Sequence, residues 1–138
     1  MNWKSFNEDS LKNVPETSGV YWIRCCNMEI RRLHGIDNEG ILVIGESADL
    51  RHRLETFYKA ANGKTAAHSE GQRYYYFRIA ELNRNGIEFR YEETLNRKVR
   101  EREELKRYEL KHRELPPLNR AGGWPGYERK DEIKQMPL

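Results

Sequence analysis

The chain has 138 residues, 37% hydrophobic and 34% charged, with a formal net charge of +3. That length sets one domain with a modest core, and the charge permits nucleic-acid binding without requiring it, because what counts is whether the basic groups share one face. No apolar run approaches the roughly 20 residues of a bilayer-spanning helix, "MNWKSFNEDS" lacks a signal-peptide pattern, and the adjacent Cys25 and Cys26 cannot staple distant segments, so no membrane contact and a reducing, cytoplasmic setting are expected.

In the lead-in, Trp3, Phe6, Leu11 and Val14 are spaced to pack as a short helix before Pro15. "GVYWIRCC", Gly19 to Cys26, is aromatic and β-branched, as expected of a strand buried on both faces. "MEIRRLHG" could pair as a second strand, and "IDNEG" is turn chemistry. Ile41 to Ile44 form the next strand. Ser47 then makes a suitable N-cap, with Asp49 in a first turn whose dipole favours negative charge. Leu50, Leu54 and Phe57 share one helical face, and the helix should fade near "AANGK". "TAAHSEGQR" reads as a loop. "YYYFRIAEL" and "IEFRYEE" read as strands joined by "NRNG". The second alternates apolar and charged residues, which predicts a half-solvated edge strand.

A charged helix is expected from Arg97 to Glu114, ended by Pro116-Pro117. Residues 120–138, rich in Gly, Pro and charge, form a loosely held C-terminal extension to a core of about 15–119. The fold class is a single α+β domain: a small mixed or antiparallel β-sheet flanked by helices.

Two residues pose chemical questions. Leu105, Tyr108, His112 and Leu115 project onto one stripe of the last helix, its core face, and Glu101 lies on that stripe one turn earlier. A carboxylate there is either a solvated first-turn acid or a metal ligand aimed into a cleft. Glu104 is the rival ligand, but its neighbours Arg107 and Lys111 place it on a solvated face. Arg53 flanks the Leu50/Leu54/Phe57 face, either laying its stem along the core or presenting its guanidinium to a ligand.

Taken in order, "GVY" at 19–21, "VIG" at 43–45, "ESADLRHRL" and "EREELKRYELKHRELPPLN" resemble the GIY-YIG nuclease superfamily. The resemblance spans about Pro15 to Asn119. It implies a metal-dependent DNA endonuclease that hydrolyses phosphodiester bonds in duplex or branched DNA, with Mg²⁺ or Mn²⁺ as cofactor. Tyr21 would stand near the attacking water as a candidate general base, Arg53 would contact the scissile phosphate, Glu101 would hold the metal, and Asn119 would brace the site. His68 is the candidate for the family's histidine. An arginine fork and a divalent ion both meet the charge that builds on the phosphate. A tyrosine, with a reference pKa of about 10, serves as a base only when such cations lower it. The chain departs from the pattern at Val43, where the family usually has tyrosine, at Glu46, where several relatives have lysine, and at Phe57, where others have histidine. It also carries an inserted segment at 27–40. These departures keep open a catalytically weak or inactive nucleic-acid-binding protein, and a partner or antagonist protein.

Overall fold

The computed structural model describes residues 2–25, 29–62 and 86–119. Within them the elements are β1 (Lys4–Ser5), α1 (Glu8–Leu11), β2 (Gly19–Cys25), β3 (Ile30–Arg31), β4 (Ile36–Asp37), β5 (Ile41–Ser47), α2 (Leu50–Ala61), β6 (Ile87–Glu93) and α3 (Arg97–His112). The main sheet has the order β1-β6-β2-β5, and every pairing in it is antiparallel. The expected α+β class with flanking helices is therefore observed, and the sheet is antiparallel among the described residues. The expected strand at 74–82 lies outside the described residues.

Alternation along β2 sorts the core into two layers. Tyr21, Ile23 and Cys25 pack with Leu50, Leu54 and Phe57 of α2 and with Phe6, Leu11 and Phe89. Val20 and Trp22 point the other way and pack with Ile41, Ile44 and Tyr108. One face of the sheet is thus covered by α1 and α2, the other by α3. The first layer is wholly apolar. The second is interleaved with charge, since Arg24, Arg90, Glu88 and Glu92 sit in register beside Val20 and Trp22.

Three local expectations are corrected. The α2 N-cap is Asp49, whose carboxylate accepts from the His52 amide at 3.0 Å, while Ser47 Oγ accepts from the Asp49 amide in the turn before it. The lead-in supplies strand β1 besides a one-turn helix, so Trp3 and Phe6 lie outside α1. Because β1 pairs with Glu88 and Phe89, β6 is an internal strand and not an edge. The inserted segment, which left its pairing open, forms the small β3-β4 hairpin. It docks on the end of α3: the His34 amide donates to the His112 carbonyl at 3.1 Å, and Arg32 pairs with Glu114 at 3.0 Å.

Candidate functional site

β5 and β6 both run antiparallel to β2, so they run parallel to each other, and the helices that follow them start at the same end of the sheet. Arg53 is the fourth residue of α2 and Glu101 the fifth of α3. Tyr21 is the third residue of β2, which begins at that same end. The topology therefore gathers these three residues at one end of the sheet. It does not put them on one face. Tyr21 and Arg53 belong to the α2 side, whereas Glu101 rides on the helix that covers the opposite side. They share common space only past the strand ends, beside Gly19 and Ser47. Arg53 and Glu101 are both half-buried. His68 lies outside the described residues.

Tyr21 pairs with Gly45 across the β2-β5 ladder. A Cβ on Gly45 would overlap the Tyr21 ring and hydroxyl, so glycine is required for the ring to lie where it does. Tyr21 is only 1% exposed. One residue away, the Asn119 side chain clamps β5: its Oδ1 accepts from the Ile44 amide at 2.9 Å and its Nδ2 donates to the Ile44 carbonyl at 2.8 Å. Leu118 adds a backbone bond to the Leu42 carbonyl at 2.9 Å. Asn119 thus acts on β5 as a side-chain amide imitating a neighbouring strand. The left-handed Arg113 that ends α3 turns the chain toward this edge.

The acids of the α3 side are engaged by arginine. Arg97 Nε donates to Glu46 at 2.6 Å. Arg100 meets Glu92 at 2.8 Å and also Glu104, which Arg107 approaches at 3.1 Å. Its bonds to Glu92 and Glu104 raise the Arg100 pKa. Glu104 is 7% exposed, which corrects the expected solvated face. Apolar periodicity misplaced it because this helix packs against a sheet layer that itself carries charge. Among the described residues no three His, Cys, Asp or Glu side chains converge to hold a metal. Glu101 is a carboxylate of the kind that a largely hydrated Mg²⁺ accepts as its one protein ligand.

Sequence reasoning missed Asp37. Its carboxylate accepts from the amides of Glu39, Gly40 and Ile41 at 2.9, 3.2 and 3.0 Å, and from the Tyr108 hydroxyl at 2.8 Å. Burial, and then Asp37 beside it, raise the Tyr108 pKa. The signal was present in "IDNEG", where an aspartate followed by glycine three residues on forms a turn around its own carboxylate. Comparison of the chain with family models, with curated proteins and with solved structures gives no match.

Proposed function

We propose that the protein is a GIY-YIG-type phosphodiesterase acting on DNA, with its site at the sheet end where α2 and α3 begin. The observation that carries this reading is the common origin of the two helices, which gathers Tyr21, Arg53 and Glu101 from three distant parts of the sequence. Arg53 would grip the phosphate oxygens on which charge builds. The Tyr21 hydroxyl would orient the attacking water. A Mg²⁺ held by Glu101 would, when bound, supply Lewis-acid neutralisation of the phosphate. The test is nicking of supercoiled and branched DNA with Mg²⁺ or Mn²⁺, against a chelator control. Arg53→Ala should lower turnover by about 10²–10³-fold, and Glu101→Gln should abolish cleavage while DNA affinity in Ca²⁺ is kept. No metal-dependent nicking by the folded wild type on any substrate would end this reading.

Two observations favour a second reading, a nuclease fold retained for nucleic-acid binding. Tyr21 is nearly inaccessible, and Glu46 is tied to Arg97. Under that reading the wild type binds DNA with an affinity that falls as salt rises, by a log–log slope of roughly −0.9 per phosphate neutralised, and does not cleave it.

A further inference from the structure

On the face away from Tyr21, α3 and the sheet enclose a cleft of about 130 Å³. That is ample room for several waters. Arg90 lines it. The Arg90 guanidinium lies 4.6 Å from the Trp3 ring centroid and 4.7 Å from that of Trp22. Such cation–π contacts hold the charge without satisfying its N–H donors. Its Nε is buried and has no acceptor.

Several nearby carboxylates are committed elsewhere, while Glu39, which lines the same cleft, acts on Arg90 through its charge without an ion pair. Glu88 pairs with Arg24, Glu92 with Arg100, Glu104 with Arg100 and Arg107, and Asp37 with three amides and the Tyr108 hydroxyl. Arg90 makes no ion pair with any described residue. A buried donor without an acceptor is destabilising, and a charged donor in a cleft is where an oxyanion recovers most. The lining also sets the charge of the ligand. Asp37, Glu39 and Glu104 stand among the cations Arg90, Arg107 and Lys111. These three acids and three cations cancel, so a ligand of one negative charge is repelled less than a ligand of two.

We propose that this cleft binds a small organic monocarboxylate, with Arg90, held against Trp3 and Trp22, receiving its oxygens. The site is separate from the sheet end where Arg53 and Glu101 begin their helices, and it does not depend on the nuclease reading. The experiment follows the Nε–H signal of Arg90 in ¹H–¹⁵N spectra of the full chain, identified by its loss in Arg90→Lys. Acetate is titrated at constant ionic strength held with chloride, and inorganic phosphate is titrated in parallel at pH 8. The signal should move and saturate with acetate, and phosphate should bind at least about tenfold more weakly. In Arg90→Lys, acetate affinity read from the Trp22 indole signal should fall at least about tenfold. A thermal melt checks that this variant is folded, and the wild-type titrations decide alone if it is not. A shift that chloride reproduces, a shift that never saturates, or tighter binding of phosphate than of acetate would overturn the proposal.

Discussion

The ring of Tyr21 occupies the space that a side chain on Gly45 would need. Neither residue can change size without moving the other, because both sit in the middle of a paired ladder. Gly45→Ala should therefore destabilise the fold by about 1–3 kcal/mol, the usual cost of forcing a methyl into a filled core. Urea denaturation measures it. A midpoint equal to wild type would mean that the ring has room to move aside.

Asn119 should be similarly sensitive, for polar reasons. Asn119→Ala removes both bonds to Ile44 and should cost about 2–4 kcal/mol. Asn119→Asp keeps the shape and the acceptor but sets a carboxylate oxygen against the Ile44 carbonyl, so it should also be destabilised at pH 7. Equal stability of the aspartate variant would disprove the two-bond clamp.

Glu104 separates a buried network from a solvated face. Glu104→Gln weakens the contacts with Arg100 and Arg107 and should cost about 1–3 kcal/mol. A residue on an open helix surface would change stability by less than about 0.5 kcal/mol. Chemical denaturation of the variant distinguishes the two.

Tyr108 predicts a pH dependence. Its folded pKa is raised, chiefly by burial and then by Asp37. In the unfolded chain the phenol ionises near pH 10. Above that pH the unfolded state holds fewer protons than the folded one, so stability falls as pH rises. Below it, this group gives no slope. In Tyr108→Phe the alkaline loss of stability from pH 10 upward should be shallower than in wild type. Parallel denaturation curves across pH 8–11 would contradict the buried, Asp37-bonded phenol.

Much of the fold is legible where apolar residues cluster. The runs at 19–25 and 41–44 are strands, and the faces Leu50/Leu54/Phe57 and Tyr108/His112 are buried. What stayed hidden is what depends on pairing between distant polar groups. β6 looks like an edge because its alternating charges look solvated, yet Glu88, Arg90 and Glu92 each meet a partner on a neighbouring strand or on α3. Glu104 was misplaced for the same reason. The candidate site is legible as residue types in an order. That Arg53 and Glu101 stand at one end of the sheet follows from the chain direction of β5 and β6, and that they approach from opposite faces follows from the layer each helix packs on; periodicity gives neither.

The Asn119 clamp also bears on how the chain behaves before it is complete. β5 is the outer strand of the sheet, and "ILVI" is its apolar stretch. An unpaired apolar edge is a template for another copy of the same strand. Leu118 and Asn119 cover it, but they lie far downstream and come last among the described residues. During synthesis the sheet can pair before its own guard has left the ribosome. A chain cut short at Pro117 would keep every described strand and helix, and it would expose a sticky rim. Loss of this short tail should therefore show first as clumping in the cell, ahead of any loss of helix or strand content.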